Sequence, residues 1–268
     1  MIKKIWFLFI ANLCCAQAIV IGNTSQWVKV YHKIFSSMPL VNRKEKVLKF
    51  SKKNVEPFSQ LLFSWNAFRP EVGYFSFWIQ SRNKKTKNWG EWYKMIEWGS
   101  KVQRSYASND NGFSHYAHVR LEIKKNILAD AFNMRIIAHD GADVSLLHSI
   151  FVTLANFNFF RPEKNITQLN QLTSVYIKGV PRIAQFGINH AHNNRICSPV
   201  SCTMLTCFLN NCCINPLDFA YQVFDDGLDT YGSWPFNMAH AFECCNSSNF
   251  FATRLNSFVE LHRQLKKG

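Results

Sequence analysis

Between residue 61 and Asn156 the chain alternates apolar and polar positions with a period of two. Phe75, Phe77 and Ile79 alternate with Ser76, Trp78 and Gln80, and Val119, Leu121 and Ile123 alternate with Arg120, Glu122 and Lys124. Met134, Ile136 and Ala138 have polar neighbours, as do Ile150, Val152 and Leu154. Successive side chains of a strand point to opposite faces, so this spacing predicts half-buried strands in an antiparallel sandwich or barrel. The stretch before it, 19–60, is mixed and basic, with one weak strand near Val47–Phe50.

After residue 176 the period lengthens to that of a helix. Val200, Met204, Cys207 and Phe208 share one apolar face, with Ser198 placed to cap and Pro199 suited to the first helical position. Asn215-Pro216 repeats the start signal, with Leu217, Ala220, Tyr221 and Phe224 on one side. A third helix is expected from Pro235 to about Cys245, then a short strand at Phe250–Thr253. Ser257 to Glu260 reads as a capping box before a last helix through Leu261 and Leu265. The Asn/Gln-rich residues 157–175, with Arg161-Pro162, read as a linker. The fold class is therefore α+β: an N-terminal extension (19–60), a β-sandwich-like domain (61–156), the linker, and a second domain from 176 to 268.

Composition sharpens this picture. The start, MIKKIWFLFIANLCCAQA, has a basic n-region at Lys3-Lys4, an apolar stretch too short to span a bilayer, and Ala16-Gln17-Ala18 as a small-residue cleavage pattern. It predicts a signal peptide over 1–18 and export to the periplasm or beyond. A lipoprotein site at Cys14 or Cys15 is disfavoured by Asn12 and Leu13 before them. No later segment is apolar enough to form an integral membrane span. The hydrophobic share of 47% argues for folded cores. A formal charge of +14 favours anionic partners such as a cell-envelope surface. The basic residues are scattered and fit no nucleic-acid module.

Candidate chemistry concentrates in 180–209. Gln185 precedes Cys197, which is followed by Ser198-Pro199 and an apolar-periodic helix. Only the thiolate of a cysteine attacks, and a helix start supplies partial positive charge that favours it. A nearby side-chain amide can complete an oxyanion hole. Of nine cysteines, seven follow Ala18: Cys197, Cys202, Cys207, Cys212, Cys213, Cys244 and Cys245. In an exported protein an odd number leaves a thiol unpaired, and Cys197 is the candidate. The competing reading is a buried or bridged structural cysteine. Cys207 falls on the apolar helix face and reads as core, while Cys212-Cys213 and Cys244-Cys245 could bridge to one another.

The run from Val180-Pro181 to Gln185, with Cys197-Ser198-Pro199-Val200-Ser201 and Gly232-Ser233-Trp234-Pro235-Phe236-Asn237, resembles secreted bacterial papain-like cysteine peptidases of the bacteriocin double-glycine leader-processing type. The β-rich part upstream is similar to the domain that precedes the peptidase in those proteins, so the resemblance spans roughly residues 60 to 268. It implies an incomplete papain-like domain, with Cys197 as nucleophile and Gln185 lining the oxyanion hole. It implies a peptide or protein substrate and no cofactor or metal. The family's base, a histidine on a later strand with an Asp or Asn to orient it, would follow Gly268, so a truncation before the catalytic His is expected. The alternative is a truncated or degenerate relative that binds peptide or cell-wall polymer without cutting it.

Other constellations are weaker. His190 and His192 lie in the loop between Gln185 and Cys197, His240 and His262 lie on expected helices, and His115, His118, His139 and His148 read as sandwich residues. No Cys-x-x-Cys pair supports zinc. Asp225, Asp226 and Asp229 lack the late Glu of a calcium loop and read as solvated acids. The cluster Trp89-Gly90-Glu91-Trp92-Tyr93 reads as core and hairpin packing, with a sugar- or peptide-stacking platform as the sharper alternative.

Overall fold

The computed structural model describes residues 27–35, 46–108, 110–160, 172–245 and 248–267. The expected signal peptide and Arg161-Pro162 lie outside the described residues. Among these residues ten strands form two five-stranded sheets. They are β1 (Val28–Ile34), β2 (Val47–Phe58), β3 (Gln60–Ala67), β4 (Tyr74–Asn83), β5 (Tyr93–Gly99), β6 (Gln103–Ser105), β7 (Ser114–Ala117), β8 (Arg120–Ile123), β9 (Ala129–His139) and β10 (Leu147–Ala155). One sheet has the order β1-β10-β3-β8-β7 and the other β2-β9-β4-β5-β6. Every pairing is antiparallel. With four α-helices among the described residues, the fold is α+β and sandwich-like.

The alternation read from sequence becomes the inner faces. Phe75, Phe77, Ile79, Met134, Ile136, Ile150, Val152 and Leu154 are all buried. The sheets meet through stacked rings, Trp65 of β3 against Phe77 of β4 at 4.1 Å, and through Tyr31 against Phe132 at 6.2 Å. The strands β1 and β2 come from the segment before residue 61.

All eight residues of β3 are buried, so this strand has no solvent face, although Leu61, Phe63, Trp65 and Ala67 alternate with the polar Ser64 and Asn66 as they would in a half-exposed strand. Its outer face is covered by chain from the C-terminal end. The expected strand at Phe250–Thr253 does not form. Instead Phe250 N–H donates to Asn66 Oδ1 at 2.9 Å and Ala252 N–H donates to Ser64 Oγ at 3.1 Å. Thr153 Oγ1 donates back to the Ala252 carbonyl at 2.7 Å. Polar side chains of the sheet's outer face thus satisfy a backbone that would otherwise need a strand partner.

The helices are α1 (Cys197–Asn210), α2 (Pro216–Gln222), α3 (Trp234–Cys244) and α4 (Phe258–Leu265). Asn215 caps α2 by accepting from Leu217 N–H, and Ser257 caps α4 by accepting from Glu260 N–H, both at the expected positions. Ser198 does not cap α1: the helix begins two residues earlier than expected, Ile196 is its cap residue, and no side-chain cap bond forms. Helix α3 lies against β3, with Phe236 edge-on to Trp65 at 5.9 Å and Phe242 against Phe68 at 5.5 Å. Phe219, Val223, Phe236, Phe242 and Phe250 join the sandwich residues in one hydrophobic core.

Asp225 corrects the reading of the loop acids. It is 0% exposed. Its Oδ1 accepts from Ser105 N–H at 2.8 Å and Gly227 N–H at 3.0 Å, and its Oδ2 accepts from the hydroxyls of Ser105 at 2.5 Å and Ser233. This carboxylate locks the loop after α2 to the edge strand β6. Gly227 fits tightly there, because a Cβ on it would sit 1.9 Å from the Ser105 carbonyl oxygen. Asp226 is exposed as expected, and Asp229 pairs with Arg195 at 3.0 Å. No helix among the described residues is long and apolar enough to cross a membrane.

Candidate functional site

Cys197 is the first residue of α1, solvent-exposed and carrying a free thiol. Its position follows from the residues before it. Ile196 is fully buried and packs with Val200, Ala220 and Tyr231, while Ile183, Ile188, Met204, Leu217 and Phe224 close round that cluster. Ile183 and Ile188 flank Gln185, so the segment is pinned on both sides of it. Gln185 opens a 3-10 turn, Gln185–Gly187, and is half-buried. Its Nε2 donates to the Asn193 carbonyl at 3.0 Å. That uses one of the two amide hydrogens and leaves one to offer. The Arg195 guanidinium also donates to the Asp229 carbonyl and carboxylate, tying this loop to the one after α2.

At the helix start, the first N–H groups of α1 have no intrahelical acceptor and carry partial positive charge. Ser201 Oγ donates to the Cys197 carbonyl at 2.8 Å, so that hydroxyl faces the first turn. Among the described residues no hydrogen bond joins Cys197 to Gln185 or to a histidine. His190 and His192 lie 5.6 Å apart and face aromatic rings: His190 approaches Tyr221 at 5.6 Å, and His192 approaches Tyr231 at 6.4 Å.

A thiol–imidazole contact occurs elsewhere. Cys244 Sγ lies 3.8 Å from His240 Nε2, and His240 Nδ1 lies 2.9 Å from Glu243 Oε2. The i, i+4 spacing of His240 and Cys244 on a helix is the sequence signal for this group. Burial, followed by the nearby Glu243 carboxylate, pushes the Cys244 thiol up to about 11. Glu243 also accepts from Arg69 N–H at 2.7 Å, which joins α3 to the end of β3. The arrangement is that of a structural clasp holding a protonated thiol. Burial likewise drives Cys202 up to about 12.

The second sequence block, Trp234-Pro235-Phe236-Asn237, is a docking element in this structure. Phe236 is fully buried, and Asn237 Nδ2 donates to the carbonyls of Tyr231 and Ser233, each at 3.0 Å. Of the Trp89–Tyr93 cluster, Trp89 and Trp92 are half-buried, Glu91 is exposed, and Tyr93 enters the sandwich. Tyr93 is buried with its hydroxyl on the Ser114 carbonyl at 2.7 Å. The Arg135 guanidinium covers the Trp92 ring at 3.7 Å. Among the described residues no group of three or more His, Cys, Asp or Glu is placed to hold a metal ion. Sequence reading passed over Arg254. It meets Gln60 across 194 residues, and no spacing in the chain announces that pairing.

No family model matches the chain, and no curated protein matches it. Among solved structures, the chain has a similarity to a crystal structure of a non-crystalline cellulose specific carbohydrate-binding module, CBM28. That match has 13% identity, covers 47% of this chain and 73% of the module, and has a TM-score of 0.24, too low to carry an argument.

Proposed function

We propose that the chain is an exported cysteine peptidase-like protein of the papain-like class, with Cys197 as nucleophile and Gln185 as a donor to the oxyanion. One observation carries the reading: Cys197 presents a free, exposed thiol at the first turn of α1.

In this mechanism the Cys197 sulfur bonds to the scissile carbonyl carbon, and the carbonyl electron pair moves to oxygen. Backbone N–H groups at the helix start and the remaining Gln185 N–H hold that charge. Collapse breaks the C–N bond, the amine leaves with the proton that the Cys197 thiol gave up, and water then cleaves the thioester, which releases the acid and restores the thiol. No described histidine hydrogen-bonds Cys197. That observation favours a second reading, a relative that binds peptide or wall polymer without hydrolysing it.

A peptidyl electrophile that reacts with activated thiols should label the protein at Cys197, and Cys197→Ala should abolish labelling. Labelling that persists in the alanine variant assigns the reactivity to another cysteine and overturns the proposal. Release of product from a peptide amide separates the hydrolytic reading from the binding one.

A further inference from the structure

A cleft of about 780 Å³ opens where chain from the C-terminal end returns past β3 and β8. Four fixed cations line it, Arg120, Lys124, Lys125 and Arg254, against two carboxylates, Asp110 and Glu122. Glu122 is already engaged: its Oε1 accepts from Arg120 Nε at 2.7 Å and from Gln60 Nε2 at 3.3 Å, and its Oε2 lies 3.7 Å from His115 Nε2. Arg254 makes no ion pair among the described residues. Its Nε donates to the neutral Gln60 Oε1 at 2.5 Å, and its guanidinium lies 5.7 Å from the Phe157 ring and 5.8 Å from the Trp234 ring. These contacts fix the fork without neutralising it. Burial first, and Arg120 next, lower the Arg254 pKa, and the nearby Glu122 carboxylate offsets them only in part, so the two cations oppose each other.

Holding a half-buried cation beside a second one is unfavourable unless an anion sits between them. The terminal nitrogens of both guanidinium groups have no hydrogen-bond partner among the described residues. Two forks with a lysine at the rim offer more than four donors around one point, which suits the three or four oxygens and the higher charge of a phosphate. Phe157, 43% exposed, leaves an apolar wall beside the fork for the group that carries the phosphate.

We propose that this cleft is a phosphate-binding site, with Arg254 and Arg120 as the clamp and Lys124 at its rim. The site is independent of Cys197. The test is thermal stability and isothermal titration on the full chain with inorganic phosphate, ionic strength being matched by chloride. Phosphate should raise the melting temperature above the chloride control. Arg254→Lys, which keeps the charge and loses the fork, should weaken binding about tenfold, as should Arg120→Gln. Lys124→Gln removes an exposed charge with no side-chain hydrogen bond; it should fold normally and weaken binding about two- to threefold. Co-sedimentation with phosphatidylglycerol vesicles, against phosphatidylcholine vesicles, distinguishes a lipid headgroup from a soluble phosphate as the source. Phosphate stabilisation equal to that of chloride overturns the proposal, as do wild-type affinities in Lys124→Gln and in whichever arginine variant folds.

Discussion

Two faces of the helical half are held in different ways. On one, α3 and the loop from Phe224 to Ser233 close against the sandwich. Phe236 and Phe242 enter the main core, and a buried carboxylate satisfies four donors across the junction. On the other, the segment bearing Gln185 and Cys197 rests on a small cluster with four fully buried members. The first face is fixed by burial and by polar groups that cannot be left unpaired. The second is fixed by a small apolar cluster that includes Tyr231 and Phe224 and by a loop-to-loop ion pair. Candidate chemistry thus sits on the less extensively packed face, and loops on such faces are where binding and catalytic segments are commonly placed.

The largest effect that tests this contrast is at Asp225. Asp225→Ala leaves the Ser105 and Gly227 N–H groups and two hydroxyls without their acceptor, at a cost of about 3–5 kcal/mol. Urea denaturation checks it. A loss under about 1 kcal/mol would mean that the junction does not depend on this carboxylate.

Next comes acid sensitivity within the sandwich. Burial alone would raise Asp130, but hydrogen bonds from Arg82 at 2.8 Å and Lys87 at 2.5 Å outweigh it and hold the carboxyl below its ordinary value. Folding therefore favours the ionised form. Its contribution is complete above the unfolded carboxylate pKa and is lost as pH falls through the folded value. Asp130→Asn should flatten the acid limb of stability against pH. An unchanged slope would assign that limb to other carboxylates.

The smallest effect is expected at Ile188, which is half-buried beside Gln185. Ile188→Ala should cost about 1 kcal/mol locally. It should speed tryptic cleavage at Arg182 or Arg195 several-fold while global unfolding stays unchanged. An equal drop in both would show that the Cys197 seat and the junction form one cooperative unit.

The parts of this fold that sequence reading reached are those whose signal is local. Alternation exposes β4 and β9 because the residues between their core positions are largely polar and partly exposed, and it exposes β10 through Ile150, Val152 and Leu154 although both faces of that strand are covered. Asn215-Pro216 and Ser257 mark helix starts because caps bond within two or three residues. The covering of β3's outer face escaped, because Ser64 and Asn66 look like solvent-facing residues until the distant backbone reaches them. Asp225 escaped for the same reason, since its partner Ser105 lies 120 residues away. At the candidate site, Cys197 and Gln185 were legible as residue types, whereas the bond from Gln185 to Asn193 depends on how a turn folds.

Ser64 and Asn66 also set an order of events. The chain leaves the ribosome N-terminus first, yet these side chains wait for Phe250 and Ala252, 184 and 188 residues later. Contacts so remote in sequence form slowly and late. Until then the sandwich has an unfinished outer wall, and a stretch synthesised more than 180 residues later closes it.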